Sequence, residues 1–196
     1  NNYKFNPLAD EITIAPSWNK NNEYLKFSDE IIELLIKDFK VRFRPHKNSF
    51  KYHNHEISKL VNKFKNKKNF ILDLDDNSFD YIINTKYFIT DWSGTSFEYS
   101  FFTLRPVLFM DTPLKVNNED FKKIELIPVE VLIRDKMGII LKKNEVKDIT
   151  KKFNTIDFEI KKYNDNIFEL RKSLLFNFGE SSEKGKNFLK EILNET

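Results

Sequence analysis

One continuous segment, residues 86–111, constrains the fold of this chain more than any other. Its sequence is KYFITDWSGTSFEYSFFTLRPVLFMD. Strand-forming residues come first, turn residues at 91–94 follow, and a helical segment then leads into a second apolar run. Thr95 or Ser96 is expected to cap the helix, because a hydroxyl there can accept a hydrogen bond from a free backbone N–H. The segment therefore predicts a strand, a tight turn, a helix and a strand.

A small-residue turn before a helix N-terminus is a favourable place for an anionic group. Free backbone N–H groups and the positive end of the helix dipole both lie there. Gly94 would let the backbone approach a phosphate, and Ser93, Thr95 and Ser96 offer hydroxyl donors. The turn alone is equally compatible with an ordinary β-α-β unit that has polar residues in its loop.

The rest of the chain repeats the alternation of strand and amphipathic helix. Ser28 is read as a helix N-cap, Ser181 or Ser182 as the cap of a final helix, and residues 1–10 as a linker before a single domain at 11–196. Strands are predicted at 12–15, 41–43, 70–74, 87–89, 107–110, 131–133 and 139–141, helices at 57–64, 79–84 and within 144–172, and loops at 19–27, 47–55 and 113–120. This alternation predicts an α/β fold with a Rossmann-like, doubly wound parallel sheet and additional helices at the C-terminal end.

Polar motifs follow several of the predicted strands at the point where each strand ends. They are Ser17-Trp18, Arg44-Pro45-His46, the acidic pair Asp73 and Asp75, and the turn at 91–94. In open α/β sheets, ligands bind outside the carboxyl ends of the strands. We therefore expect these motifs to share one edge of the sheet and to form a ligand site there.

Two residues of this edge are candidate catalytic groups. The Arg44 guanidinium can bind a phosphate through two parallel hydrogen bonds. His46 can donate to a phosphate oxygen or act as a general acid or base, and its protonated ring would add positive charge. As an isolated tripeptide, Arg44-Pro45-His46 is also compatible with a surface arginine and a solvated histidine.

Three other candidates each have a structural alternative. Trp18 can stack on a nucleobase or cover the edge of the sheet. Glu98 can accept hydrogen bonds from a ribose or stabilise the helix dipole. Asp91 is favoured as a structural acceptor for N–H groups of the turn, although it also lies within the candidate site.

Composition excludes several classes of function. The 196 residues contain no cysteine, which excludes a disulfide framework, a thiol nucleophile and a cysteine-based metal site. The formal net charge of +3 is too small to indicate nucleic-acid binding. His53 and His55 lack further ligands at a usual spacing, so no metal site is predicted. The chain begins with Asn-Asn and is expected to be part of a longer, cytoplasmic protein.

Five motifs together resemble those of a known family in order and spacing. They are IAPSWNKNN at 14–22, RPH at 44–46, ITDWSGTSFEYSF at 89–101, RPVLFMD at 105–111 and FNFGESSEKGKNFL at 176–189. The chain resembles the nucleotide-binding C-terminal half of CDP-glycerol glycerophosphotransferases, which include teichoic acid polymerases and capsule enzymes. The resemblance implies the C-terminal half of a GT-B fold. It also implies that Arg44, His46, Asp91, Ser93, Thr95, Ser96 and Glu98 bind the donor, and the positions of Ser17, Trp18 and Gly94 add these three residues to the predicted donor site.

The implied reaction is transfer of a polyol phosphate from a CDP-linked donor to an acceptor hydroxyl, without a metal or other cofactor. The resemblance implies a polymer or a lipid-linked molecule as acceptor, an N-terminal half that supplies the catalytic base, and a peripheral position at the inner membrane face. Lys47, Trp92 and Glu98 depart from the usual family residues, which leaves the donor open. A UDP- or GDP-sugar transferase domain and a non-catalytic nucleotide-binding module are the alternatives.

Overall fold

The computed structural model describes residue 6 and residues 9–75, 79–116, 118–124 and 126–194, with the side chains of residues 119 and 194 outside that description. Most of the predicted linker at 1–10 lies outside the described residues. Ala9, near its end, is buried. Among the described residues, no helix has both the length and the apolar composition needed to cross a bilayer.

Six parallel strands form one sheet in the described part of the chain, in the order β3-β2-β1-β4-β5-β6. The order reverses between β1 and β4, which is the position where doubly wound sheets bind ligands. The predicted fold class is confirmed. The strands are β1 (Glu11–Ile14), β2 (Lys40–Phe43), β3 (Phe70–Leu72), β4 (Thr85–Thr90), β5 (Val107–Met110) and β6 (Gly138–Leu141).

Helices cover both faces of the sheet, and successive residues of β4 point to opposite faces. Ile89 packs in the cluster with α1, α3 and α7, whereas Phe88 packs in the cluster with α4, α5, α6 and α8. The helices are α1 (Glu23–Leu35), α2 (Lys47–Tyr52), α3 (Asn54–Phe64), α4 (Phe79–Asn84), α5 (Thr95–Thr103), α6 (Val129–Met137), α7 (Ile149–Phe158), α8 (Ile160–Leu174) and α9 (Ser181–Asn194), with short 3₁₀ turns at Glu119–Lys123 and Lys143–Asp148.

The first helix corrects the prediction that Ser28 is an N-cap. Helix α1 begins at Glu23, inside the predicted loop 19–27, because Tyr24 and Phe27 continue its buried face. The hydroxyl of Ser28 is buried and donates to the carbonyl oxygen of Tyr24 over 2.8 Å. Ser28 therefore lies within the helix and satisfies its hydroxyl one turn back.

Three other predicted segments also differ from the structure. The predicted loop 47–55 contains α2 and the start of α3. Residues 131–133 were predicted as a strand but lie in α6, where Ile133 and Met137 are buried at helical spacing. The β-branched residues there favoured a strand, whereas burial of one helix face decides the conformation. The predicted loop at 113–120 ends in the 3₁₀ turn that starts at Glu119.

The last helix confirms the predicted element but leaves its apolar face uncovered. Helix α9 begins at Ser181, and every described side chain from 181 to 193 is exposed. Its Phe188 and Leu189 side chains are 62% and 60% exposed. The core of the domain is thus completed by α8, without α9.

Candidate functional site

A cleft of about 530 Å³ opens at the carboxyl ends of the strands, across the point where the strand order reverses. One side is formed by the loops after β1 and β4, and the other by the loops after β2 and β3. Its lining residues are Ala15, Pro16, Arg44, Pro45, His46, Lys47, Phe50, Asp73, Leu74, Asp75, Ser93 and Thr95. The structure therefore brings four of the predicted site residues together in this cleft: Arg44, His46, Ser93 and Thr95.

The turn before α5 is held by hydrogen bonds within itself. The Ser93 carbonyl oxygen accepts from the Ser96 backbone N–H at 3.1 Å and from the Ser96 hydroxyl at 2.8 Å. The hydroxyls of Ser93 and Thr95 are 2.9 Å apart. Gly94 has helical backbone angles, with open space where a Cβ would lie. The turn thus offers two hydroxyls to the cleft and an unobstructed backbone at Gly94.

The expectation that Thr95 or Ser96 caps α5 is wrong. Gly94 occupies the N-cap position, and no side chain caps the helix there. Thr95 is the first helical residue, and the hydroxyl of Ser96 donates to a carbonyl instead of accepting from an N–H. The first N–H groups of α5 have partners within the turn: Thr95 N–H donates to the Ser93 hydroxyl at 3.4 Å, and those of Ser96 and Phe97 donate to the Ser93 and Gly94 carbonyls. An anion bound here would therefore compete with the long Thr95 bond and would be favoured by the helix dipole.

Arg44 is fixed at the cleft by a network of buried charges. Its Nη1 donates to Asp73 Oδ1 at 2.8 Å, and its guanidinium lies 4.7 Å from the centre of the Tyr81 ring. The other Asp73 oxygen pairs with Arg42 at 3.2 Å, and Arg42 also pairs with Glu11 at 2.9 Å. The guanidinium of Arg44 is therefore pre-positioned, and it shares its charge with one carboxylate.

His46 caps α2 through its ring. Its Nδ1 accepts a hydrogen bond from the Asn48 backbone N–H at 3.0 Å, which leaves Nε2 to carry the proton of the neutral ring. Burial lowers the pKa of His46, and the nearby positive charge of Lys115 lowers this pKa further. At neutral pH the ring of the free protein is thus mainly a neutral Nε2–H donor, which differs from the expected protonated ring.

The lowered pKa of His46 predicts that this residue contributes to the pH dependence of stability. The pKa of His46 is lower in the folded protein than in the unfolded chain, so between these two values the unfolded chain binds more protons. The free energy of unfolding should therefore fall as the pH drops below about 6.5, the ordinary histidine value. His46→Asn should lose part of this decrease in urea unfolding between pH 7 and 5. Superimposable pH profiles for the variant and the wild type would contradict this.

Lys115 and Lys47 are two cationic residues near His46 that the sequence analysis did not select. Lys47 lines the cleft directly, and Lys115 lies close enough to His46 to affect its charge. Lys115 comes from the loop after β5, which lies three strands away from β2, the strand that precedes His46. No local sequence motif indicates that Lys115 lies near the cleft. The lining of the cleft thus carries Arg44 and Lys47 together with the carboxylates of Asp73 and Asp75, and Lys115 adds positive charge beside His46.

Asp91 and Ser17 are buried together behind the cleft, and neither lines it. Asp91 accepts from the Ser17 backbone N–H at 2.6 Å and from the Ser17 hydroxyl at 3.0 Å, and it is 2% exposed. Burial raises the pKa of Asp91, while the hydrogen bonds from Ser17 oppose that rise. These bonds join the loop after β1 to the loop after β4 and so hold the two sides of the reversal point together.

Three predicted site residues lie away from the lining of the cleft. The Trp18 ring packs against Tyr52, with 5.0 Å between ring centres. Ser96 is buried beneath the turn. Glu98 is exposed and lines a different groove of about 720 Å³, which is otherwise formed mainly by apolar residues of α5, α8 and the segment after α8. Within the described residues, no three histidine or carboxylate side chains are grouped so that they could bind a metal.

Comparison with known proteins identifies similar folds only at the level of structure. No protein-family model and no curated protein matches the chain. The wall teichoic acid polymerase TagF superposes with a TM-score of 0.59 at 19% identity, over 98% of this chain and 45% of the TagF chain. A histidine-to-asparagine variant of TagF soaked with CDPG superposes with a TM-score of 0.57 at 18% identity, over 98% and 44% of the two chains. This chain thus spans less than half the length of TagF.

A second solved structure has nearly the same extent as this chain. The C-terminal domain of LpcC, a glycosyl transferase group 1 family protein from Francisella tularensis, superposes with a TM-score of 0.50 at 11% identity. The superposition covers 88% of this chain and 95% of that domain. The chain therefore has the Rossmann-like α/β fold of a GT-B C-terminal domain, as predicted from its sequence.

Proposed function

We propose that this chain is the donor-binding domain of a transferase that moves a polyol phosphate from a CDP-linked donor to an acceptor hydroxyl. The observation that carries the proposal is the cleft where Ser93 and Thr95, at the N-terminus of α5, lie across from Arg44 and His46. A pyrophosphate needs hydroxyl and N–H donors together with fixed positive charge. The superposition on TagF and the five sequence motifs support the choice of a CDP-linked polyol.

In this proposal the acceptor hydroxyl attacks the phosphorus on the polyol side of the pyrophosphate. The bond between that phosphorus and the bridging oxygen breaks, and the bond to the acceptor oxygen forms. Negative charge then grows on the bridging oxygen of the departing CMP. Arg44, the Nε2–H of His46 and the donors of the Ser93 turn would stabilise this charge. In this proposal the proton of the acceptor hydroxyl passes to a base in the N-terminal half of the full-length protein.

The remaining site residues have narrower roles in the proposal. Ser17 and Asp91 hold the two loops together, Ser96 fixes the shape of the turn, and Gly94 leaves room for the phosphate. Trp18 and Glu98 would reach the donor only from outside the described cleft. We also propose that an N-terminal half of the same protein completes the site and that the acceptor is a polymer or a lipid-linked molecule. The full-length protein would act at the cytoplasmic face of the membrane.

A nucleotide-sugar glycosyltransferase domain is the second candidate function. It is favoured by the superposition on the LpcC domain, which matches almost the entire length of that domain. The same cleft could hold the pyrophosphate of a UDP- or GDP-sugar, because the donors of the turn contact phosphate and not the base. The two candidates differ in the donor that should bind.

Calorimetric titration of the chain with CDP-glycerol, CDP-ribitol, CMP, UDP-sugars and GDP-sugars tests the proposal. We expect the CDP-linked polyols to bind at least about tenfold more tightly than any UDP- or GDP-sugar, a difference of roughly 1.4 kcal/mol. Tighter binding of a nucleotide sugar would favour the second candidate. Heat changes that stay at background for every nucleotide would contradict both.

Removing one hydroxyl of the turn should weaken donor binding without unfolding the domain. Ser93→Ala is expected to raise the Kd for CDP roughly tenfold, because a hydrogen bond to a charged phosphate is worth about 1.5–3 kcal/mol. Ser173→Ala is the matched control, since that exposed hydroxyl donates to a helix carbonyl in α8. An unchanged Kd in Ser93→Ala would exclude the hydroxyl from the phosphate site.

A further inference from the structure

Arg134 is a buried cation next to the Ser93 turn, in α6, and it directly follows the segment 131–133 that was predicted as a strand. It is 6% exposed, and its Nη2 donates to the Met110 carbonyl oxygen at 2.7 Å. The guanidinium lies 3.9 Å from the centre of the Trp92 ring and 4.8 Å from that of Phe109. Arg134 therefore fixes the ring of Trp92, the residue directly before Ser93.

The charge of Arg134 has no direct counter-ion among the described residues. No carboxylate there forms an ion pair with it, and its Nε is buried without a hydrogen-bond partner. Asp91 is near enough to act on the charge of Arg134, but both of its carboxylate oxygens are engaged by Ser17. Asp111 and Asp135 also act on it but are exposed, so solvent screens their effect.

The guanidinium of Arg134 lies near the turn that also lines the cleft. Arg134 lines a narrow crevice together with Asp91, Trp92, Ser93 and Ser96. Ser93 lines both this crevice and the 530 Å³ cleft, so the turn borders the space that Arg134 lines on one side and the cleft on the other. A buried, unpaired cation is costly for folding by itself, and a phosphate on the other side of the turn would offset that cost.

We infer that Arg134 is a positioning residue for the proposed phosphate site: it holds the Trp92–Ser93 turn from behind and supplies positive charge to the pyrophosphate through it. The inference rests on the proposed function, because it needs an anionic ligand on the turn. A residue that only stabilised the fold would affect all ligands alike. Arg134 should instead favour ligands in proportion to the negative charge that they place on the turn.

The test compares CMP with CDP, which adds one phosphate to the same nucleoside. In the wild type, CDP should bind more tightly than CMP. In Arg134→Met, the ratio of the CMP Kd to the CDP Kd should fall by about fivefold, because the added phosphate loses a nearby buried charge. Arg134→Lys keeps the charge and should retain most of the ratio. Arg134→Gln keeps a donor for the Met110 carbonyl and should behave like Arg134→Met.

Arg171→Met is the matched control. Arg171 also donates to a backbone carbonyl at 2.7 Å, that of Phe101, and its guanidinium lies 4.4 Å from the centre of the Phe178 ring. It lies beside the apolar groove, away from the cleft, so this substitution should leave the ratio at the wild-type value.

Each outcome of this test is decisive. A wild type that binds neither nucleotide would contradict the proposed function and the inference with it. Wild-type binding with an unchanged ratio in Arg134→Met or Arg134→Gln would overturn the inference and leave the proposed function standing. Failure of both neutral variants to fold would also overturn it, because the role of Arg134 would then be structural.

Discussion

Asp73→Ala should lower the free energy of unfolding by about 3 kcal/mol, because it leaves buried charge without a partner. Asp73 is 7% exposed and forms ion pairs with both Arg42 and Arg44, whose side chains are 20% and 17% exposed. Arg42 would keep Glu11 as a partner, whereas Arg44 would lose the carboxylate with which it pairs among the described residues. The loss should therefore affect both stability and the orientation of Arg44.

Urea unfolding of Asp73→Ala and Asp148→Ala measures this effect. Asp148 also forms an ion pair, with Lys151 at 2.7 Å, but that pair lies on the surface. Its removal should leave the unfolding midpoint close to that of the wild type, since exposed pairs contribute little. Equal midpoints for the wild type and Asp73→Ala would mean that the charge network does not stabilise the cleft.

Phe88→Ala should have the largest effect on stability, about 4 kcal/mol, because it removes an aromatic ring from the centre of the fold. Phe88 lies in β4 and is 0% exposed. Its ring stacks on Tyr99 of α5 at 4.9 Å and on Tyr81 of α4 at 6.2 Å. The cavity would therefore loosen α5, the helix whose N-terminus forms the proposed phosphate site.

Phe176→Ala is the control for this substitution. The Phe176 ring is 86% exposed, so its removal should change the unfolding free energy by no more than about 0.5 kcal/mol. A loss in Phe88→Ala as small as that in the control would contradict the packing described for this face of the sheet.

The fold and the position of the cleft could be predicted because strand periodicity and turn chemistry are local properties. Each motif that contributes to the cleft directly follows a strand, and parallel strands bring their carboxyl ends to one edge. The positions of Arg44, His46 and Ser93 at the cleft could be predicted from these local properties alone. The helix starts were less predictable, because Ser28 has the local features of a cap and only the burial of Tyr24 and Phe27 extends α1 before it.

The electrostatic properties of the site depend on contacts between residues that are far apart in the sequence, and no sequence motif predicts these contacts. Asp91 lies outside the lining of the cleft, where it accepts hydrogen bonds from Ser17, which is 74 residues away in sequence. Arg134 reaches the turn only because α6 packs on the same face of the sheet as α5. Burial lowers the pKa of His46, and Lys115, which comes from the loop after β5, lowers this pKa further. Such contacts follow from the strand order and from loop conformation, so no spacing rule predicts them.

Amide chemical-shift mapping with CDP is the measurement that tests the proposed donor site most directly. The 15N-labelled chain is titrated with CDP, and the shift of each backbone amide is followed to saturation. We predict the largest changes at Ser93, Gly94 and Thr95, with further changes at Arg44 and His46, because the pyrophosphate would lie against this turn and these two side chains. Largest changes along the apolar groove at residues 174–178, or no changes at millimolar CDP, would contradict the account.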